Sequence, residues 1–157
     1  MQYRLEQLEE IQVVGFHRSY RSGTQAQKHI ASFWEDVISA HIDEELARHS
    51  DGTLNGLLGV CISHEDGRMD YLIGVTNQSI PHEGYSKVQL VKGDYLVVTT
   101  SGPFPESIQR TMRHIHVNLL PREGFRIKDA NFFELYLPGD IESDDYVAEI
   151  WLPIESE

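Results

Sequence analysis

Residues 131–154, NFFELYLPGDIESDDYVAEIWLPI, hold two runs of alternating character, Phe132–Leu137 and Tyr146–Ile154, separated by a loop with three aspartates. Both read as β-strands, in which successive side chains point to opposite faces. Phe133, Leu135 and Leu137 then share one face of the first strand, and Phe132, Glu134 and Tyr136 the other. In the second strand Ala148, Ile150 and Leu152 lie opposite Val147, Glu149 and Trp151. Each strand thus has a wholly apolar face, expected against helices, and a mixed face carrying one carboxylate and aromatic rings. A mixed face is compatible with a partly solvated sheet surface, where glutamates are common and rings pack across strands. It is also compatible with a pocket wall, because flat rings and a partly desolvated carboxylate suit a lipophilic cation.

The sequence upstream supplies helices for the apolar faces. Ile108, Met112, Ile115 and Leu119 recur at helical spacing, with Pro105 suited to the first turn and Pro121 expected to stop the helix. Before this helix, Val88–Val91 and Tyr95–Thr100 flank Lys92-Gly93-Asp94, which predicts a hairpin. The front of the chain runs in the same order. Short β-like runs surround Glu9-Glu10, with Ile11–Phe16 the better strand. Thr24-x-x-Gln27 matches a capping box, and Ile30, Phe33, Trp34, Val37, Ile38, Ile42 and Leu46 form a stripe that predicts one helix ending near 48–50. Leu57–Ile62 and Met69–Val75 follow as strands around Asp66-Gly67, a hairpin dipeptide. Thr76–Ser86, with Pro81 and Gly84, reads as a linker.

The two halves align. An offset of 78 positions carries Ile30, Trp34 and Val37 onto Ile108, Met112 and Ile115, Leu57 onto Leu135, and Tyr71 onto Glu149. This predicts an α+β fold of duplicated strand–helix–strand–strand modules with pseudo-twofold symmetry. Its antiparallel sheet would carry two long helices on one face, with a ligand groove where the modules meet. One domain is expected over 1–157, with repeat 1 at about 1–75, a linker at about 76–86 and repeat 2 at about 87–157.

Composition narrows the function. Twenty-five acids against thirteen Lys and Arg give a formal net charge of −12, which repels phosphate backbones and argues against direct nucleic-acid binding. No apolar run approaches the roughly 20 residues of a membrane span, and the amino terminus lacks a secretory pattern, so the expectation is a cytoplasmic protein without membrane attachment. Cys61 is the sole cysteine and lies in an apolar stretch, as a small core residue would. The eight histidines show no HExxH spacing, no Gly-rich phosphate loop or Gly-x-Ser-x-Gly elbow is present, and neither a metal nor a cofactor is expected.

The chain resembles the GyrI-like small-molecule-binding domain, also found as the effector-binding half of AraC-type and MerR-type regulators. The resemblance rests on Lys92-Gly93-Asp94-Tyr95, on Thr100-Ser101-Gly102-Pro103-Phe104, and above all on the ending Glu149-Ile150-Trp151-Leu152-Pro153-Ile154. It implies a saddle-like sheet with a groove at the pseudo-dyad, in which an acidic residue helps bind cationic aromatic compounds. By motif that residue is Glu149, with Glu134 second; Trp151, Tyr136 and Tyr71 would wall the groove, with Trp34 and Phe104 as further candidates. No residues remain for a helix-turn-helix, so the expectation is a stand-alone binder of lipophilic, cationic compounds. The resemblance also implies two alternatives. One is hydrolysis of strained electrophiles, with Glu149 activating water or attacking directly and Tyr71 donating a proton. The other is a protein-interaction module whose partner is a regulator or gyrase, in a monomer or homodimer.

Overall fold

Two apolar clusters, one on each face of a single sheet, organise the chain. The computed structural model describes residues 2–79 and 84–155; Pro81 of the expected linker lies outside them. In chain order the elements are β1 (Tyr3–Leu8), β2 (Ile11–Tyr20), α1 (Gly23–Ser39), α2 (Ile42–His49), β3 (Leu57–Ser63), β4 (Met69–Thr76), β5 (Ser86–Leu90) and β6 (Gly93–Ser101). Then come α3 (Glu106–His114), a π-helical turn (Ile115–Leu119), α4 (Leu120–Glu123), β7 (Phe132–Tyr136) and β8 (Val147–Pro153).

All eight strands form one antiparallel, curled half-barrel sheet in the order β1-β6-β8-β7-β3-β4-β2-β5. The order is symmetric when the halves are exchanged. β3 and β7 meet at the centre, β4 and β8 flank them, β2 and β6 follow, and β5 and β1 form the edges. The first strand of each half therefore crosses to the other half's side of the sheet, β1 onto β6 and β5 onto β2. The hairpin expected at Lys92-Gly93-Asp94 is accordingly absent, because β6 has both edges filled, by β1 and β8. The hairpin at Asp66-Gly67 does form, with the His64 N–H donating to the Arg68 carbonyl at 3.0 Å and Gly67 at φ +91°.

Helix ends differ from the sequence expectation for local reasons. The cap of α1 is Ser22, whose Oγ accepts from the Gln25 N–H at 3.2 Å, two residues before the Thr24 capping box. The single helix expected to reach 48–50 breaks at Ala40-His41, where His41 is left-handed at φ 60°. Helix α2 then restarts with Asp43, Glu44 and Glu45 in its first turn, where carboxylates suit the positive end of the helix dipole. Pro121 does not stop the second helix. It lies in the first turn of α4, directly after the π-helical turn has shifted the bonding so that the Leu120 N–H reaches the Ile115 carbonyl. The helix ends at Gly124 (φ +77°), the left-handed conformation that favours glycine.

The cluster under the helices joins Phe33, Trp34, Val37, Ile108, Ile115 and Leu119 to strand residues Tyr71, Ile73, Val75, Ile150 and Leu152. The cluster on the other face contains Val13, Leu58, Val60, Tyr95, Phe133, Leu135 and Trp151. The duplication therefore holds in topology, but the offset of 78 does not carry through the strands. Leu57 packs with the helix-side cluster and Leu135 with the other. Helix-facing residues are odd-numbered in β3 and β4 and even-numbered in β7 and β8, so strand equivalence requires an odd shift. Loops of unequal length absorb the difference.

Gly15 and Gly74 face each other across β2 and β4. A Cβ on Gly15 would run into the Ile73 carbonyl oxygen, and one on Gly74 into the Val14 carbonyl oxygen. Only glycine permits this approach of two backbones. Gly74→Ala is expected to lower stability by about 1–3 kcal/mol, seen as a lower urea midpoint at unchanged slope; an unchanged midpoint would show that the strands are not so close.

Candidate functional site

The centre of the sheet carries an acid. Glu134 on β7 faces Gly59 on β3 and Ile150 on β8, beneath the helices and only 7% exposed. An ionised carboxylate in such a place requires hydrogen-bond donors, and two are present. Its Oε1 accepts from the Tyr136 hydroxyl at 2.6 Å and from the Tyr71 hydroxyl at 2.9 Å. The Tyr71 oxygen in turn accepts from Trp34 Nε1 at 3.0 Å. Tyr71 belongs to β4, so its ring must cross β3 to reach β7. It does so over Gly59, where a Cβ would collide with the Tyr71 hydroxyl.

Above Glu134 opens a cavity of about 650 Å³ between α1 and α3, within the range of small-molecule sites. Its floor is Cys61, Phe132, Glu134 and Tyr136. Ile30 and Ala31 of α1, Ile108 and Met112 of α3, Met69 and Phe104 form the walls. The exposed liners Gln27, Gln109, Arg113 and His116 mark the open end. Behind the floor, the Tyr136 ring lies 4.6 Å from Trp34 and 5.6 Å from Phe104, and those two lie 6.1 Å apart. The loop between β6 and α3 holds Phe104 in place, its N–H donating to the Ile141 carbonyl at 2.8 Å.

Burial pushes the Glu134 carboxyl above the usual glutamate value, and the hydroxyls of Tyr136 and Tyr71 offset part of this. The two phenols are pushed well up, by burial first and by the Glu134 charge second. Burial also raises the Cys61 thiol well above its usual value, which leaves it protonated and unreactive.

The structure divides the residues singled out from sequence into three groups. Glu134, Tyr136 and Phe104 line the cavity. Tyr71 and Trp34 stand one layer behind and hold Glu134. Glu149 and Trp151 lie on the opposite face, which corrects the expectation that Glu149 is the groove acid. The pairing Phe133↔Trp151, Glu134↔Ile150 and Leu135↔Glu149 puts the mixed face of β7 and the apolar face of β8 together under the helices. Glu149 is already neutralised there. Arg4 Nη1 stands 3.0 Å from its Oε2, Trp151 Nε1 donates to its Oε1 at 3.1 Å, and the Arg4 guanidinium lies 5.7 Å from the Trp151 ring centre. Phe133 stacks on Trp151 at 5.3 Å. The pairing of Glu149 with Tyr71 considered for hydrolysis is likewise not formed, since Tyr71 donates to Glu134 on the other face.

Several liners carried no individual signal in the sequence. Ile30, Ile108 and Met112 belong to the helix stripes, which give a core and a cavity wall the same spacing; Gln27, Gln109, Arg113 and His116 sit among ordinary polar surface positions. Among the described residues no three or more His, Cys, Asp or Glu side chains gather where they could hold a metal ion, and no helix is long and apolar enough to cross a membrane.

No curated protein matches the chain. Among solved structures, it is similar to SAV2435 bound to tetraphenylphosphonium, with 36% identity, TM-score 0.91, and coverage of 99% of this chain and 95% of that one. It is similar also to a Staphylococcus aureus MU50 protein described as a bacterial transcription regulation protein, with 36% identity, TM-score 0.90 and coverage of 99% of both chains. An integron cassette protein of Vibrio cholerae shares the fold at 14% identity and TM-score 0.66, covering 98% of this chain and 95% of its own. The family model described as GyrI-like small molecule binding domain matches residues 1–155, and the chain belongs to that family.

Proposed function

We propose that the chain binds lipophilic organic cations reversibly and without turnover, in the cavity over Glu134, as one unit to which both halves contribute. The observation that carries this reading is a carboxylate, buried and fixed by two phenols, at the aromatic floor of an otherwise largely apolar cavity. A partly desolvated carboxylate attracts a cation more strongly than one in water, and the rings beside it add cation–π attraction. The tetraphenylphosphonium held by SAV2435, at 36% identity over nearly the whole chain, is a ligand of this class. Glu134 is the residue that meets the positive charge, through the Oε2 that its two phenol donors leave free; Tyr136, Phe104 and Phe132 offer rings. Tyr71 and Trp34 position the acid. Met69 and Met112 supply adaptable walls, suited to ligands of differing outline. Glu149 has its charge answered by Arg4 and takes no part.

In calorimetric titration Glu134→Gln is expected to weaken tetraphenylphosphonium by about tenfold to a hundredfold, the worth of a hydrogen-bonded or paired charge. The neutral triphenylphosphine oxide should change by less than about twofold, since an uncharged ligand gains nothing from the ionised acid. Equal losses for the two ligands would remove Glu134 from the role, and recovery of a chemically altered ligand would replace binding with catalysis.

The pH dependence follows from the raised Glu134 pKa. A cation requires the ionised acid, so affinity is full above the folded pKa and falls as pH drops through it, starting higher than the usual value near 4.5. Tyr136→Phe removes a donor that stabilises the charged form, and is expected to move the midpoint of this loss to higher pH. A midpoint that stays fixed would show that the phenol does not hold the acid.

A further inference from the structure

The cavity has a second chemical pole that cation binding leaves unused. Acids outnumber Lys and Arg by 25 to 13 in the chain, yet the cavity lining contains a single carboxylate, Glu134, at the floor. The open end is lined by Gln27, Gln109, Arg113 and His116. Three of these, Gln109, Arg113 and His116, come from successive turns along one side of α3 and its π-helical continuation, the spacing that aligns side chains in a row. Arg113 is a permanent cation. Arg113 has no ion-pair or hydrogen-bond partner among the described residues, and it is the arginine that lines the cavity. An exposed arginine without an ion pair, at the mouth of a largely apolar cavity, is available to a ligand.

We infer that the preferred ligands are amphoteric: a lipophilic cation seated over Glu134 and, at the other end of the same molecule, a carboxylate or comparable anion held at the mouth by Arg113, with His116 and the two glutamines as further donors. This deepens the reading of the cavity as a cation site and rests on it. Opposite poles at floor and mouth fix the ligand's direction, which an apolar cavity with one charge does not do. The mouth is solvated, so the gain is that of an exposed ion pair, and it is sensitive to salt.

A matched pair of probes tests this. (4-Carboxybutyl)triphenylphosphonium and pentyltriphenylphosphonium have chains of the same length and differ in whether the chain ends in a carboxylate or a methyl group. At neutral pH and low salt, the carboxylate compound is expected to bind about fivefold more tightly, the upper range for an exposed ion pair. Arg113→Gln should abolish that preference, bringing the two probes to equal affinity. Arg110→Gln, in a neighbouring arginine that does not line the cavity and donates to the Ser101 carbonyl, should retain it. Equal affinity of the two probes for the unaltered protein, or a preference that survives in Arg113→Gln, overturns the anion pole and leaves the cation site standing. If neither probe binds, both fall together.

Discussion

Holding a carboxylate beneath two helices is the constraint around which the centre of this molecule is arranged. Removing an ionised group from water costs several kcal/mol even after relaxation, and the two phenol hydrogen bonds to Glu134 recover about 1.5–3 kcal/mol each. Those phenols must themselves lie in the core, where Tyr71 is fully enclosed and Tyr136 nearly so. Trp34 then serves Tyr71. A row of polar atoms from α1 through β4 to β7 is thereby committed to one side chain, and one of the rings that carry them, that of Tyr136, lies in the cavity floor. Satisfying the acid and shaping the cavity are one arrangement.

This arrangement breaks the symmetry of the two halves at their axis. On the central pair of strands, Glu134 of the second half faces Gly59 of the first. The first half gives up a side chain at that point, and the vacated space lets its own Tyr71 reach the other half's acid. The cavity consequently has one carboxylate and a defined orientation, although the sheet around it is close to twofold. Neither half encloses the cavity alone.

The alternation in 131–154, the helix stripes and the order of elements were legible in the sequence, and with them the α+β class, the doubled plan and most of the aromatic residues around the acid. Which acid faces the cavity was not. Phe132–Leu137 and Val147–Leu152 each have an apolar and a mixed face, and nothing within either strand says which face of one accompanies which face of the other. That depends on register, and a slip of one residue would bring Glu134 and Glu149 to the same side. The register belongs to the intervening loop, which closes through the Tyr146 hydroxyl donating to the Leu137 carbonyl at 2.7 Å, a contact without a sequence signature. Repeat alignment failed in the same way, since the shift that matches the helices is out of phase in the strands. The false hairpin at Gly93 had a different cause. A polar break between apolar runs marks a turn but not the partner, and β5 and β6 each pair with a strand from the first half.

The exchange of edge strands has a consequence for how the molecule can be taken apart. β2 is bordered on its outer side by β5, and β6 by β1, so each half borrows its outer border from its counterpart. A cut at the midpoint of the chain would not yield two small self-contained proteins; each fragment would keep a strand it cannot use and lack the one it needs. The connectivity is that of two identical subunits that have traded arms, joined here in a single polypeptide, and the pieces are interlocked rather than merely adjacent.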